Sequence, residues 1–246
     1  MKHVLRPTLS AAAMLAALGI VGTALAAAPT TEKDKASYVV GMDMANNIPP
    51  IVREELNPAV VAEALRTVLS GQKAALSDQD AQAIRQAFVT KLKAKAEAQE
   101  KAEAAKNKAA GDAYLAKNKT RPGVKVTPSG LQYEVVTMGT GPKPGPNDTV
   151  QINYTGTLVD GTKFDASADH GGPASLPLAS VFPGFKEAMQ LMPEGSHFKF
   201  AIPANLAYGD KAASPVIGPN STLLFDVTLL KANVPAAQQQ AQPQGK

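Results

Sequence analysis

The chain has 246 residues, room for one large or two small domains. Hydrophobic residues make up 44% and charged residues 19%, the balance of a folded protein rather than a disordered one. Cysteine is absent and the histidines are His3, His170 and His197, which excludes disulfides and thiolate chemistry and argues against a histidine metal cluster or a Ser-His-Asp triad, while a formal charge of +4 is too weak to point to nucleic acid.

The first segment reads as an address. Lys2 and Arg6 precede an uncharged run from Pro7 to Thr31, with Leu9, Met14, Leu15, Leu18, Ile20 and Val21 as its apolar middle and Ala24-Leu25-Ala26 as a small-x-small cleavage site. Residues 1–26 are therefore expected to be a secretory signal peptide cleaved after Ala26. The alternative, an uncleaved membrane anchor, is disfavoured because the run is alanine-rich and weakly apolar. The expected location is outside the cytoplasm, in a bacterial periplasm, either free there or associated with the outer membrane or cell surface.

A proline-free stretch between Pro58 and Pro122 marks a helical half. Lys35 to Ile48, with Tyr38, Val39, Met42 and Met44, is a candidate helix. Asn57-Pro58 reads as a cap followed by a first helical position, Val60, Val61, Ala64, Leu65, Val68 and Leu69 follow at helical spacing, and Gly71 can close the helix in a left-handed turn. Ser77-Asp78-Gln79-Asp80 resembles a capping box with Asp in place of Glu, ahead of Ile84, Phe88 and Leu92. Residues 27–76 hold too little mass for a large core, so they are expected to be a helical dimerisation domain, with ordinary core packing as the other reading of its methionines.

From Lys91 to Lys119 the chain is mostly Ala, Lys and Glu, with eight Lys against four acids and no broad apolar stripe. A long solvated linker helix over 77–119 is expected. Partial disorder is the alternative, and a nucleic-acid or membrane surface is disfavoured because no aromatics interleave and acids interrupt the charge. Thr120 to Thr127, with Pro122-Gly123 and Pro128 as breakers, is the boundary to the next domain.

Nine of the twelve Phe and Tyr residues lie between Tyr133 and Phe225. There Leu131, Tyr133 and Val135 alternate, as do Val150, Ile152 and Tyr154, then Phe198, Phe200 and Ile202, then Leu223, Phe225, Val227 and Leu229; each set reads as a strand with one face buried. Asp160-Gly161 is a hairpin signal. Phe185, Ala188, Met189 and Met192 suit one side of a short helix. The fold class is α+β: an antiparallel sheet wrapped around a short helix over 124–232, preceded by the all-α dimerisation module and the linker helix, with 233–246 a disordered polar tail. Asp165, Asp169 and His170 lie close in sequence, but an acid-base or metal role for them is disfavoured. Tyr154, Phe164, Phe182, Phe185, Tyr208 and Phe225, taken alone, read as core before they read as a site.

The order and spacing of the motifs change that reading. Tyr154-Thr155-Gly156, Asp160-Gly161-Thr162-Lys163-Phe164-Asp165, Val181-Phe182-Pro183-Gly184-Phe185, Ala207-Tyr208-Gly209 and Thr222-Leu223-Leu224-Phe225-Asp226-Val227 together resemble the FK506-binding-protein family of peptidyl-prolyl cis-trans isomerases, over roughly Thr127 to Lys231. The helices and signal peptide ahead of them look like the bacterial branch containing the macrophage infectivity potentiator, whose members dimerise through N-terminal helices. The resemblance implies an apolar pocket with Tyr154, Phe164, Asp165, Tyr208 and Phe225 in catalytic positions and Leu176, Val181, Phe182, Phe185 and Ile217 binding substrate. Tyr208 would give its hydroxyl, and Phe182 its backbone N–H, to the substrate. The resemblance also implies binding of macrolide inhibitors; Phe185 stands where many members have Trp, Leu176 where an aromatic is usual, and the Lys211 to Pro219 loop keeps Ile217 but otherwise differs, departures that bear on macrolide affinity and substrate preference more than on the fold. The implied partners are proline-containing unfolded or partly folded polypeptides and a second copy of the chain, without nucleic acid, metal or cofactor. A dimeric periplasmic chaperone, with catalysis secondary, is the alternative.

Overall fold

The structure, a computed structural model, describes residues 28–234; the signal-peptide reading and most of the expected tail lie outside them. The described chain falls into two compact units, one ending at Ser70 and one beginning at Gly71.

The first unit contains three helices, α1 (Glu32–Asn46), α2 (Pro50–Arg53) and α3 (Pro58–Leu69). Asn57 caps α3 by accepting the Ala59 N–H, and Gly71, at φ +72°, supplies the left-handed turn just past Ser70. The four-residue α2 has no periodic signature and was outside the sequence expectations. None of the side chains from 28 to 70 is buried.

The second unit opens with α4 (Asp78–Asn118), 41 residues long, a span of roughly 60 Å at 1.5 Å per residue. Ser77 caps it, as Thr31 caps α1: each hydroxyl oxygen accepts the backbone N–H of the Asp three residues on at 3.1 Å and donates to that residue's carboxylate at 2.6 Å. The carboxylate thus engages the cap's hydroxyl rather than its backbone N–H, because Asp is one methylene shorter than the Glu of a full capping box. In place of the fully solvated linker expected over 77–119, the second half of α4 docks on the sheet domain. Ala104, Asn107, Tyr114 and Leu115 are partly covered, and Gly111 and Asn118 are buried. The Asn118 amide donates to the Gln132 side chain at 2.9 Å, the Gln132 amide donates to the Leu115 carbonyl at 3.0 Å, and Arg121 bridges Asn118 and Glu134. The docking stripe is mostly small and amide residues, with Tyr114 and Leu115 as its large members, so no broad apolar period announces it.

Seven strands follow: β1 (Val124–Val126), β2 (Gln132–Thr137), β3 (Thr149–Leu158), β4 (Lys163–Ala166), β5 (Ala174–Pro177), β6 (His197–Ile202) and β7 (Leu223–Lys231). They form one antiparallel sheet in the order β1-β2-β6-β7-β3-β4. The free edge of β3 is shared: β5 pairs with its first half and β4 with its second. Where neither is in place, the Ser167 hydroxyl accepts the Tyr154 N–H at 3.1 Å, so the ladder is not left unsatisfied. β1 and β5 were not expected; one has three residues, and the other ends in a proline that only an edge strand tolerates.

The helix α5 (Pro183–Leu191) packs Phe185, Ala188 and Met189 against this sheet, and Met192 just beyond it is fully buried. The core they close contains Leu131, Val150, Ile152, Phe198, Ile202, Leu223, Val227 and Leu229, the inward positions of the alternating strands. Ala232 and Val234, at the end of the described residues, are also buried.

Candidate isomerase site

Successive inward positions of β3 and β7 bring the site together. Past Ile152, the next inward residues of β3 are Tyr154 and Gly156, and Gly156 pairs with Phe225 of β7. A Cβ on Gly156 would come within 2.5 Å of the Phe164 ring and 3.2 Å of the Phe225 ring, so the missing side chain is what lets those two rings meet at 5.5 Å, edge to face. On β4, Asp165 pairs with Gly156 and Lys163 with Thr157, which leaves Phe164 as the extra residue of a bulge. That bulge is why two successive residues, Phe164 and Asp165, can both face the pocket, where regular alternation would allow one.

Phe225 is the hub. Its ring centroid lies 4.9 Å from Phe185, 5.5 Å from Phe164, 6.2 Å from Phe182 and 6.3 Å from Tyr154. Phe182 in turn meets Phe185 at 5.7 Å and Tyr208 at 5.2 Å. The rings surround an open pocket of about 660 Å³ lined by Tyr154, Phe164, Asp165, Leu176, Ser180, Val181, Phe182, Phe185, Tyr208, Ala213, Ser214, Ile217 and Phe225. All ten residues singled out from the sequence are in that lining. Ser180, Ala213 and Ser214 were not foreseen; they are small residues in loops, and nothing in their type signals a wall. Phe185, Ile217 and Phe225 are buried, whereas Tyr208 stands at the mouth, 43% exposed.

Polar groups are few and placed at the rim. The Tyr154 hydroxyl donates to one Asp165 oxygen at 2.6 Å, and His170 Nε2 lies 2.7 Å from the other. Burial pushes the Asp165 carboxyl up, but the hydrogen bonds from Tyr154 and His170 and the His170 charge outweigh it and hold the group below the usual carboxylate range. Asp169 is paired with Lys163 at 2.7 Å. Burial, with Asp165 beside it, raises the Tyr154 phenol far above its ordinary value. Burial and the Asp165 charge also raise that of Tyr208, so its hydroxyl keeps its proton across the physiological range. No acceptor within the described residues takes the Tyr208 hydroxyl or the Phe182 N–H at the cap of α5. Among the described residues no three His, Asp or Glu side chains converge as metal ligands.

An open pocket walled by aromatic rings, on an antiparallel sheet packed against one short helix, is the arrangement that the motif series predicts for a prolyl isomerase domain of the FK506-binding type. The comparisons agree. Residues 141–230 match the family model described as FKBP-type peptidyl-prolyl cis-trans isomerase, and residues 33–135 match the domain amino-terminal to it. The chain belongs to this family of enzymes. It is 44% identical over 201 residues to the outer membrane protein MIP of Legionella longbeachae, covering 82% of this chain and 86% of the relative. It is 37% identical to the FKBP-type peptidyl-prolyl cis-trans isomerase FkpA of Escherichia coli K12, covering 99% of this chain and 96% of the relative. The crystal structure of FkpA from Escherichia coli superposes with a TM-score of 0.68 at 37% identity, over 83% of this chain and 98% of that one.

Proposed function

We propose that the chain accelerates rotation about X–Pro bonds in exported or envelope polypeptides by taking the proline ring into the aromatic pocket, with no covalent intermediate, and so assists their folding. The observation that carries this reading is the ring of Phe164, Phe182, Phe185 and Phe225 around an open cavity with two uncommitted donors at its edge. Amide resonance sets a barrier of about 18–20 kcal/mol to this rotation. At the perpendicular geometry resonance is lost, the carbonyl oxygen loses negative charge, and the bond is less dipolar than in either planar form. Water stabilises the planar forms more, so a pocket that excludes water favours the twisted one. Tyr208 and the Phe182 N–H orient the substrate backbone, while Asp165 holds the Tyr154 ring against the wall. Catalysis needs tighter binding of the twisted bond than of the planar one, and a preference of about 3 kcal/mol gives roughly a hundredfold.

The pocket test uses a proline-containing peptide and the full chain. Phe164→Ala is expected to lower kcat/KM at least tenfold, and Tyr208→Phe by less, with the sheet domain still folded by circular dichroism; unchanged turnover in both variants overturns this assignment of the site.

The first unit supports a further part of the reading. Tyr38, Val39, Val40, Met42 and Met44 of α1 and Val60, Val68 and Leu69 of α3 are all about half exposed or more. An apolar surface of this kind calls for a cover, and a second copy of the chain is the proposed one, which makes the protein a homodimer through its N-terminal helices. The same surface favours a second reading, a chaperone that holds unfolded chains while the pocket works. Suppression of aggregation of a proline-free client, kept in Phe164→Ala but lost on deleting residues 27–119, would establish it.

A further inference from the structure

One wall of the proposed pocket comes from a long loop, neither from the sheet nor from α5. Ser214 and Ile217 belong to a loop between Tyr208 and β7. Its tip is closed on itself: Ala213 N–H donates to the Ile217 carbonyl at 2.9 Å, and the Ser214 hydroxyl oxygen accepts the Ile217 N–H at 3.1 Å. Its base is buried and lies against α4. Pro219 is fully buried, and its carbonyl accepts a hydrogen bond from the Asn107 side-chain amide at 3.0 Å. One turn further along α4, Gly111 faces Thr222 so closely that a Cβ would overlap the threonine hydroxyl. The base also reaches the donor at the pocket mouth, because Asn220 N–H donates to the carbonyl of Gly209, the residue after Tyr208, at 2.8 Å. Asn220 holds φ +56°, the one non-glycine residue in the left-handed region among the described residues, a conformation that asparagine tolerates better than most side chains.

We propose that Asn107 and Gly111 of the long helix are positioning residues for isomerisation: they fix the Pro219–Thr222 backbone from behind, and through it the Ile217 wall and Tyr208. The inference rests on the pocket assignment above and extends it to a helix that touches no substrate. A single residue, Gly218, separates the anchored carbonyl from Ile217, and it is itself pressed against α4, where a Cβ would meet the Glu103 carboxylate and the Asn107 amide; that close packing carries a shift at Pro219 towards the pocket. On the pocket assignment, Phe164, Phe182, Phe185 and Phe225 take the proline ring, which leaves Ile217 to the residues flanking it. Loosening the loop is therefore expected to weaken peptide binding and blunt discrimination between flanking residues while leaving the rotation step largely intact.

The test measures kcat and KM on a set of peptides differing in the residue before proline, with the full chain throughout. Asn107→Ala, and Asn107→Asp, which keeps the shape but loses the N–H, are expected to raise KM about fivefold, the order of one lost hydrogen bond, with kcat within twofold and the spread among peptides narrowed. Gly111→Ala separates positioning from stability. Its methyl group must displace Thr222, so the variant is compared with Asn118→Ala: a rise in KM that Asn118→Ala does not show at a similar melting temperature supports positioning, and equal KM values overturn it. Asn118→Ala is the control, since it breaks the contact with Gln132 and leaves the loop alone; it is expected to lower the melting temperature with KM unchanged. If both Asn107 variants keep KM within twofold while Phe164→Ala abolishes turnover, the inference fails and the pocket assignment stands. If Asn118→Ala raises KM as much as Asn107→Ala does, helix docking acts only through stability, and the inference is overturned.

Discussion

The two units of this chain treat apolar side chains in opposite ways. The sheet domain places Leu131, Val150, Ile152, Met189, Phe198, Leu223 and Val227 out of contact with water, whereas the described part of the first unit buries nothing and displays Tyr38, Val39 and Met42. A domain that hides its apolar surface can be stable by itself; three short helices that show theirs draw stability from whatever covers them. The contrast teaches where substitutions are felt: in the sheet domain through the fold and, on the proposed dimer, in the helical unit through association.

The sharpest way to break that contrast is a matched pair of methionines. Met189→Ala, at a fully buried position, is expected to cost about 2–5 kcal/mol in urea unfolding of the sheet domain. Met42→Ala, at a position 48% exposed, is expected to leave that transition within about 0.5 kcal/mol. Met42→Glu should instead shift the assembly towards monomer in light scattering, with peptide isomerisation kept within twofold. Equal losses of sheet-domain stability from the two alanine variants would show the contrast to be misplaced.

Gly156→Ala tests the packing that shapes the pocket. Its new methyl group meets the Phe164 and Phe225 rings, and such overpacking costs about 1–3 kcal/mol. Because the displaced rings are pocket walls, kcat/KM should fall further than stability alone explains, and a variant with full activity would show that the rings need not touch. The caps compare the units more gently. Ser77→Ala and Thr31→Ala each remove a cap that accepts a helix N–H, worth about 1 kcal/mol. The loss of helical signal should be larger for Thr31→Ala, since α1 has no buried side chain to hold it.

Acid sensitivity is expected to be the smallest effect. The Asp165 carboxyl is held below its unfolded value, so the native state binds fewer protons than the unfolded chain and stability falls as the pH drops through and below the ordinary carboxylate range near 4. Asp165→Asn should flatten the decline in melting temperature between about pH 5 and pH 3. An unchanged slope would show that the partners of Asp165 hold it no differently in the two states.

Much of this architecture could be read in advance, and for identifiable reasons. Period-two alternation marked β2, β3, β6 and β7 because one face of each is buried, and Asn57-Pro58 and Ser77 marked helix starts because caps demand those residues. The ten pocket residues came from motif order rather than from residue type; a phenylalanine in a wall and one in a core look alike in sequence. The bulge that turns both Phe164 and Asp165 inward leaves no compositional trace. Nor does the docking of α4, which rests on Asn107, Gly111 and Asn118 where an apolar stripe would have been visible. β1 and β5 escaped because three or four residues carry no periodicity, and Ser180, Ala213 and Ser214 because a small loop residue becomes a wall only by its placement.

Phe225 sits on the last strand, and its ring meets those of Tyr154, Phe164, Phe182 and Phe185 from three earlier parts of the chain: β3, β4 and the start of α5. A nascent chain that lacks β7 therefore has neither the ring at the centre of the proposed pocket nor the ladder that orders β3. On the proposed function such a chain would be catalytically silent however much of the domain has already been synthesised. Competence would then arrive only with these final contacts of long sequence separation, the kind that also slow folding, and a half-made copy could not hasten its own maturation.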